Sequence, residues 1–274
     1  MDNRPIGFVD SGLGGLTCIP YLMRKLPDEK MIYFGDTART PYGSKAITTI
    51  RSFSTEIAGF LVKNDVKMIV IACNTVSATC LEDLRVRFPQ IPILGIIEPA
   101  CRRVADCCSP ENNIGIIGTK VTIASKAYET CINKYNDRLN IFEAPCPAFV
   151  PLIEEGIIEN DIMDLTIKYY MDDFVYGNNL DTVILGCTHY PLISENIERI
   201  YPKLRIINPS SIIVSNIEQI LKETDMLAEA SQFENVFYAS DLSENFINMI
   251  DNIFEKESEG AKVKFLNFDL ENGE

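Results

Sequence analysis

Short apolar runs typical of β-strands alternate with helix-like segments along most of this chain. In the first part, such runs cover residues 6–10, 31–34, 68–73 and 92–97, and apolar residues recur at helical spacing in 47–63. Parallel strands need a crossover connection, usually a helix, so this alternation predicts parallel sheets covered by helices on both faces. We therefore expect an α/β fold with three layers.

A second series of strand-like runs begins after residue 98, at 113–117, 140–144, 181–186 and 205–207. Helix-like segments separate these runs as they do in the first series. The alternation therefore predicts two α/β domains, each built on a mainly parallel sheet.

The tail after residue 208 contains further elements that must join one of these domains. They are a helical pattern at 212–222, a strand-like run at 236–238, a helix at 243–254 and a last strand at 263–268. Because chain termini usually lie close together, the simplest layout returns the tail to the first domain. We expect residues 1–97 plus 209–274 to form the first domain and residues 98–208 to form the second.

A weak internal similarity links the two series. Residues 6–12 resemble residues 114–120, and Cys73 and Cys187 follow these two segments at similar distances. The similarity predicts two related domains with pseudo-twofold symmetry and an active site in the cleft between them. Chance likeness between two strand ends rich in Ile and Gly is the alternative.

Composition excludes several classes of protein. A chain with 46% hydrophobic and 23% charged residues is globular rather than disordered. The net charge of −14 disfavours a nucleic-acid partner, because it repels phosphate backbones. No apolar run approaches the roughly 18 residues that cross a bilayer, and a secretory signal is not apparent. We expect a cytoplasmic protein without membrane contact, whose nine cysteines, an odd number, are free thiols.

Two of these cysteines occur in similar surroundings, each at the end of an apolar run and before small polar residues. The segments are Ile71-Ala72-Cys73-Asn74-Thr75 and Leu185-Gly186-Cys187-Thr188-His189. A helix that starts there would lower the pKa of each thiol from about 8.5 toward neutrality, where thiol and thiolate are both available. The alternative is burial as a small apolar residue, which is the common fate of an isolated cysteine.

His189 is the only histidine of the chain and lies two residues after Cys187. Its imidazole could exchange a proton with that thiol or with a substrate group. A zinc site is disfavoured, because structural zinc sites use C-x₂₋₄-C or H-x₃₋₅-H pairs, and this spacing differs.

Polar residues also follow the first strand, in the order Asp10-Ser11-Gly12-Leu13-Gly14-Gly15. The glycines do not fit the G-x-G-x-x-G frame, and the Asp10 carboxylate would repel a pyrophosphate, so a dinucleotide site is excluded. What remains is a tight turn that holds Asp10 beside a helix N-terminus, where anions are favoured. The alternative is that Asp10 only caps this helix.

Two further segments are weaker candidates. Residues 35–43 form a polar loop with Pro and Gly, which could be a ligand rim or merely a turn. Residues 150–156 contain Glu154 and Glu155, which we expect at the start of a helix, where the usual interpretation is a solvated position near the positive end of the helix dipole.

Taken together these segments resemble the cofactor-independent aspartate/glutamate racemase superfamily, and within it the glutamate racemases. The resemblance covers nearly the whole chain, and its matching stretches are 7–15, 35–43, 72–78, 95–100, 118–125, 150–156 and 185–192. The pairing of Cys73-Asn74-Thr75 with Gly186-Cys187-Thr188-His189 is specific to it. Related aspartate racemases usually carry Glu at the position of His189, so this residue favours glutamate as the substrate.

The resemblance implies roles for particular residues of this chain. Cys73 and Cys187 would be the two acid/base thiols, with Asp10, Glu154 and His189 assisting proton transfer. The implied substrate contacts are Asp10, Ser11, Pro41, Tyr42, Gly43, Asn74, Thr75, Thr188 and His189. It also implies two α/β domains with the site between them, no metal or cofactor, and D-glutamate supply for peptidoglycan. A homodimer is one assembly of such chains, but no patch in the sequence singles it out.

Some positions depart from the commonest family pattern, namely Thr40, Val76 and residues 238–241. They bear on pocket shape and tail packing rather than on the proposed proton carriers. Two rival functions stay open at this stage: a racemase for another amino acid such as aspartate, and a two-lobed amino-acid sensor without turnover. Nothing in the sequence requires pyridoxal phosphate.

Overall fold

The computed structural model describes residues 1–229 and 234–241, and the backbone of residues 263–267. Within these residues it contains ten strands. They are β1 Ile6–Asp10, β2 Met31–Gly35, β3 Met68–Ile71, β4 Ile93–Gly95, β5 Asn113–Gly118, β6 Asn140–Pro145, β7 Thr182–Gly186, β8 Arg205–Ile207, β9 Asn235–Ala239 and β10 Val263–Asn267.

Helices connect almost all of these strands in the described residues. They are α1 Ile19–Lys25, α2 Ile47–Lys63, α3 Asn74–Thr79, α4 Leu81–Arg87, α5 Ile97–Cys107, α6 Lys120–Ala124, α7 Ala127–Tyr135, α8 Phe149–Glu154, α9 Asp161–Gly177, α10 Ser194–Ile200 and α11 Pro209–Glu223. Short 3₁₀ helices cover Gly14–Cys18, Thr37–Arg39, Tyr42–Ser44 and Tyr190–Ile193. Each of these helices is too short or too polar to cross a bilayer.

The first sheet is entirely parallel and has the strand order β10-β9-β2-β1-β3-β4. Every residue of β1, β2 and β3 is buried, as continuous apolar runs covered on both faces require. Asp10 aligns with Gly35 on β2, and Val9 aligns with Ile71 on β3. The residues that follow these strands therefore emerge at one edge of the sheet.

The second sheet is also parallel and has the order β6-β5-β7-β8. This repeats the order β2-β1-β3-β4 of the first sheet, with β5 in the place of β1 and β7 in the place of β3. The expectation of two similar α/β domains is confirmed. The internally similar segments 6–12 and 114–120 lie on the equivalent strands β1 and β5, which argues against chance likeness.

The tail returns to the first sheet, where β9 pairs with β2 and Ala239 aligns with Gly35. The expected helix at 243–254 and the end of the last strand at residue 268 lie outside the described residues. Helix α11 packs against both α1 and α5, so it touches elements of both predicted domains. The exact boundaries, 1–97 with 209–274 and 98–208, stay a prediction.

Two element ends differ from the sequence-based expectation. The run at 92–97 becomes β4 up to Gly95, followed by α5 from Ile97. Helix α11 begins at Pro209, before the expected residue 212, because the Asn208 side chain accepts a hydrogen bond from Ser210 N and Pro209 suits the first helical position.

A buried ion pair fastens the start of the chain and the segment after α11 to the first sheet. Lys67 Nζ lies 2.5 Å from Glu29 Oε2, and both side chains are almost wholly inaccessible to solvent. The same ammonium donates hydrogen bonds to the backbone oxygens of Asp2, at 2.7 Å, and Met226, at 2.8 Å. This cluster holds the segment that precedes β9 against the start of the chain.

Candidate active site

The two cysteines singled out in the sequence occupy equivalent places at the ends of β3 and β7. Cys73 follows β3 after one residue and is the N-cap residue of α3, and Cys187 directly follows β7. Both are buried, with 3% and 6% of their surface exposed, and both are free thiols. The chain after Cys187 forms only a 3₁₀ turn from Tyr190 before α10, so the α-helix expected directly after this cysteine is replaced by a short turn.

The Asp10 carboxylate joins the two sheets at this edge. It is completely buried and accepts hydrogen bonds from Gly12 N at 3.1 Å and from Thr188 Oγ1 at 3.4 Å. Burial raises the pKa of Asp10, and a charge on His189 opposes this shift. A Cβ atom at Gly15 would lie only 2.7 Å from Asp10 Cβ, so the turn needs glycine there.

Asp10 is not a helix cap. The 3₁₀ helix Gly14–Cys18 has Leu13 at its N-cap and no side-chain hydrogen bond there. Asp10 is not the N-cap residue, because the chain makes a turn through Gly12 before this helix begins, but its carboxylate also interacts with the backbone N–H of Gly15 in the first turn of the helix. The carboxylate is directed to the second domain through Thr188.

The thiol of Cys73 is held in its neutral form, which corrects the expectation that a helix N-terminus brings its pKa toward neutrality. Burial, the charge of Asp10 and, to a smaller extent, that of Cys187 raise the pKa of Cys73 to about 12. The Cys73 thiol donates a hydrogen bond to Ser11 Oγ at 3.4 Å, and the contacts with Ser11 and with the backbone of Val76 offset only part of this rise in pKa. Desolvation of a thiolate in this interior therefore outweighs the favourable helix terminus.

Cys187 has different neighbours. His189 Nδ1 lies 3.8 Å from its sulfur, and His189 Nε2 lies 3.1 Å from Glu154 Oε1. Burial acts to lower the pKa of His189, but hydrogen bonds with Cys187 and Glu154 overcome it and raise the pKa to about 10. His189 therefore links the sulfur of Cys187 to the carboxylate of Glu154.

Glu154 is the last residue of α8, not a residue of its first turn. The sequence-based placement at a helix start is therefore wrong. The helix begins earlier because Phe149, Val150 and Ile153 form its buried side, and this orientation brings the Glu154 carboxylate to His189.

Asn74 is almost fully buried and has one hydrogen bond that sequence analysis did not reveal. The Tyr128 hydroxyl, on α7 of the second sheet's domain, donates to Asn74 Oδ1 at 2.6 Å. Within the described part of the chain, Asn74 Nδ2 has no hydrogen-bond partner. A buried amide donor without a partner is costly unless a ligand satisfies it, so this N–H group suits a carboxylate. No sequence pattern relates positions 74 and 128.

Thr75 belongs to a cluster of hydroxyl groups that also went unrecognised. Its Oγ1 lies 3.1 Å from Thr119 Oγ1 and 3.2 Å from Thr122 Oγ1. Thr119 caps α6 and occupies the place in segment 114–120 that Ser11 occupies in segment 6–12. That internal similarity is the signal by which Thr119 could have been found.

The polar loop of residues 35–43, predicted to border a ligand and called the rim loop here, contacts the second domain at Gly43. A Cβ atom at Gly43 would lie 2.4 Å from Thr119 Cβ, so the loop backbone packs directly against this threonine. Pro41 is exposed, whereas the buried Tyr42 donates its hydroxyl to Asp36. The Tyr42 phenol therefore anchors the loop, and the backbone of Pro41 to Gly43 is the part that can face a ligand.

The Asp36 carboxylate accepts the hydrogen bonds that hold this loop in place. Besides Tyr42 it accepts hydrogen bonds from Arg39 Nε at 2.7 Å and from Ser240 Oγ at 2.8 Å. Ser240 follows β9, so the loop is tied to the returning tail. None of these contacts was anticipated from the sequence.

The arrangement places two thiols, a buried carboxyl group, an imidazole and an unpaired amide donor around one region between the sheets. Among the described residues, no group of three His, Cys, Asp or Glu side chains is arranged to hold a metal ion. Such a site offers two thiols that can carry protons and hydrogen-bond donors that suit a small anion.

Comparison with known proteins shows the family to which this chain belongs. Residues 18–217 match the Asp/Glu/Hydantoin racemase family. The chain belongs to this family. As a racemase it is an isomerase, and relatives with 36–45% identity to it are named glutamate racemases.

Two solved racemases and one sequence relative show how far the likeness extends. The glutamate racemase of Geobacter metallireducens is 40% identical over 248 residues, which cover 90% of this chain and 91% of the relative. The structure of the Francisella tularensis enzyme in complex with D-glutamate has a TM-score of 0.90 at 36% identity, and the match covers 99% of this chain and 100% of that one. The RacE1 isoform of Bacillus anthracis gives the same TM-score at 29% identity, covering 98% and 99%.

Proposed function

We propose that this racemase interconverts L- and D-glutamate by proton transfer at Cα between two cysteines, Cys73 and Cys187, without a cofactor. The names of its relatives support glutamate as the substrate, and the Francisella tularensis relative binds D-glutamate. The mechanism is supported by the chain's own geometry.

One observation carries the proposal: the two thiols follow equivalent strands, β3 and β7, of two sheets with the same strand order. Asp10, beside Cys73, accepts a hydrogen bond from Thr188, which is next to Cys187, so both thiols border one region. A racemase needs one group to remove the proton from one face of Cα and another to return a proton to the opposite face. Two thiols on facing domains meet that requirement.

The neighbours of the two sulfurs prepare them for opposite roles. Burial and Asp10 raise the pKa of Cys73 to about 12, so this thiol is a proton donor in the free enzyme. Cys187 lies 3.8 Å from the imidazole nitrogen Nδ1 of His189, with which it can exchange a proton, and we assign Cys187 as the base in this direction. In the reverse direction the two roles exchange.

The substrate carboxylate must stabilise the negative charge that develops when the Cα proton leaves. The free Nδ2 donor of Asn74 and the hydroxyl groups of Thr75 and Thr188 are suited to bind it. These local hydrogen-bond donors also offset the net charge of −14, which repels an anionic substrate at long range. Ser11 and the backbone of residues 41–43 would contact the remaining substrate groups.

The cellular role follows from the product. We propose that the enzyme acts in the cytoplasm and supplies D-glutamate for peptidoglycan synthesis. Loss of the activity in the producing organism should then be relieved by D-glutamate and not by L-glutamate.

The decisive experiment is racemisation in D₂O without additives. If two different bases act, the first D-glutamate formed from L-glutamate carries deuterium at Cα, while unreacted L-glutamate stays unlabelled. Circular dichroism would follow inversion and mass spectrometry would follow the label. Binding without label would show a sensor rather than an enzyme, and faster turnover of aspartate would overturn the substrate assignment.

Cysteine variants test the two bases separately. We expect Cys73→Ser and Cys187→Ser each to lower kcat by about 10³-fold, because a hydroxyl is a far weaker acid than a thiol. Cys80→Ser is the matched control, since Cys80 is also buried and free but lies at the far end of α3. Unchanged racemisation in either of the first two variants would remove the two-base mechanism.

A further inference from the structure

Helices α5 and α7 meet through two cysteines that the proposed mechanism does not use. Cys101 lies on α5 and is completely buried, whereas Cys131 lies on α7 and is half-buried. The two helices pack against each other, and the two thiols share a hydrogen bond. Both thiols are free. The contact between these helices therefore contains a pair of sulfurs that are not bonded to each other but lie within reach.

The same pair contacts a residue that positions Asn74. The Cys101 thiol lies 3.8 Å from the backbone oxygen of Tyr128, to which it can donate its single proton instead of donating to Cys131. Tyr128 and Cys131 are three residues apart on α7, so they are neighbours on one side of the helix. The Tyr128 hydroxyl in turn donates to Asn74 Oδ1 at 2.6 Å. One turn of helix thus connects the two cysteines to the candidate active site.

The two thiols differ in how readily they ionise. The hydrogen bond from Cys101 lowers the pKa of Cys131, and the charges of Lys134 and Arg102 act in the same direction. Burial of Cys131 and the charge of Glu98 oppose this shift without cancelling it. Burial raises the pKa of Cys101, so this thiol stays protonated. A partly accessible thiol that ionises readily beside a second thiol is typical of cysteines that react with peroxides and then form a disulfide.

The other seven cysteines lack this combination. The sulfurs of Cys107 and Cys108 lie 3.8 Å apart, but these residues are adjacent in the chain. Neighbouring Cα atoms are about 3.8 Å apart, which is less than the roughly 4.4–6.8 Å that disulfides usually span. The remaining five cysteines are buried. The Cys101–Cys131 pair is therefore the one suited to join two helices.

We propose that Cys131 is an oxidation site for peroxides and that Cys101 is its resolving partner, so that oxidation joins α5 to α7 through a Cys101–Cys131 disulfide and weakens glutamate binding. Formation of the disulfide is independent of the proposed function. Its effect on glutamate binding rests on that function.

The reaction proceeds in two balanced steps. The Cys131 thiolate attacks one oxygen of hydrogen peroxide, the O–O bond breaks, and a sulfenic acid and hydroxide form. The Cys101 sulfur then attacks the sulfenic sulfur of Cys131, so that an S–S bond forms and the S–O bond breaks. The departing hydroxide takes the Cys101 proton and leaves as water. Overall the two thiols are oxidised by two electrons and one peroxide is reduced to water.

The disulfide changes the surroundings of Tyr128. An S–S bond is about 2.05 Å long, so the sulfurs must come closer than a hydrogen bond holds them, and α7 is drawn toward α5. Cys101 also loses the proton that it can donate to the Tyr128 backbone oxygen. Movement of this turn weakens the hydrogen bond from the Tyr128 hydroxyl to Asn74. We expect KM for glutamate to rise about 5-fold and kcat to change less.

Peptide mapping by mass spectrometry tests the oxidation site directly. The full-length protein is treated briefly with hydrogen peroxide, and its free thiols are then blocked. We expect a Cys101–Cys131 link that dithiothreitol removes. Cys131→Ser should form no such link, and in Cys101→Ala the sulfenic acid at Cys131 should persist and react with dimedone. Cys107→Ser is the matched control, because Cys107 is also half-buried, and it should form the link as the native protein does.

Steady-state kinetics test the effect on glutamate binding. Peroxide can also attack Cys73 and Cys187, so the informative quantity is the difference between the native protein and Cys131→Ser after the same treatment. We expect the rise in KM only in the native protein, and we expect dithiothreitol to reverse it. In Tyr128→Phe, where the hydroxyl is already absent, oxidation should raise KM by less than about 2-fold. Circular dichroism verifies that each variant folds.

Two kinds of result would overturn the proposal. If peroxide produces no Cys101–Cys131 link, or if dimedone labels no residue 131 in Cys101→Ala, the oxidation site is wrong. If the link forms but KM stays unchanged, or if KM rises equally in Cys131→Ser, the connection through Tyr128 is wrong. Failure of the proposed function would be seen separately, as absence of glutamate racemisation before any peroxide is added.

Discussion

The hydroxyl of Tyr128 donates a 2.6 Å hydrogen bond to Asn74 Oδ1 across the boundary between the two sheets. This contact decides which end of the Asn74 amide is free. With Oδ1 engaged, the Nδ2 donor is the group left to meet a ligand, and Tyr128 is therefore a positioning residue.

Replacing Tyr128 by Phe should raise KM for glutamate about 10-fold and lower kcat less. Without the hydroxyl, the Asn74 amide can turn its oxygen toward the substrate carboxylate, which removes ground-state binding. Steady-state kinetics in both directions would measure the effect. Tyr201→Phe, which loses a hydrogen bond to Asp172 away from this region, is the control; equal KM changes in both variants would contradict a positioning role.

The protonation of His189 predicts how stability depends on pH. Its pKa is about 6.5 when unfolded and is raised to about 10 when folded, so its contribution is complete below pH 6.5 and is lost as the pH rises toward 10. Urea unfolding between pH 6.5 and 8.5 should therefore show stability falling with pH, and the fall should be smaller in His189→Gln. Identical slopes in the two proteins would argue against a charged His189.

Gly43→Ala should lower kcat/KM at least about 10-fold. The added Cβ would approach Thr119 Cβ to 2.4 Å, so the rim loop must move away from the second domain. Gly59→Ala provides the comparison, because a Cβ there would meet only Phe88 at 3.8 Å and should leave activity intact. Wild-type kinetics in Gly43→Ala would mean that the loop position does not matter for binding.

Lys67→Met should destabilise the protein by about 3–5 kcal/mol, because it leaves the Glu29 carboxylate buried without its partner. Denaturant unfolding would measure this loss. The double variant Lys67→Met/Glu29→Leu should recover much of the stability, since both charges are then removed. The exposed pair Lys222–Glu218 serves as a reference, and Lys222→Met should change stability little.

The fold could be predicted well because strands and helices leave patterns within short stretches of the sequence. Apolar runs and helical spacing identify most strands and helices, and a parallel sheet then follows from the alternation. The likeness of segments 6–12 and 114–120 also indicated that the two domains are related. Element ends such as Gly95 and Pro209 depend on caps and side-chain packing, and those are harder to see in a sequence.

The site was only partly predictable, because its chemistry depends on contacts between distant segments. The sequence indicated Cys73, Cys187 and Asp10, but it could not show that burial would outweigh the helix terminus at Cys73. Nor could it relate Tyr128 to Asn74, because the two residues meet only after both domains have formed. The functional roles of these residues stay predictions that the experiments above can test.

The two sulfurs have unequal surroundings, a carboxyl group near Cys73 and an imidazole near Cys187. Enantiomers have identical free energies in water, so kcat/KM for a racemase must be the same from either side. The asymmetry of the protein can therefore never favour one hand at equilibrium. The asymmetry can change only how kcat/KM is split between kcat and KM. The direction with the higher kcat must also have the higher KM, and the slower direction must have the lower KM.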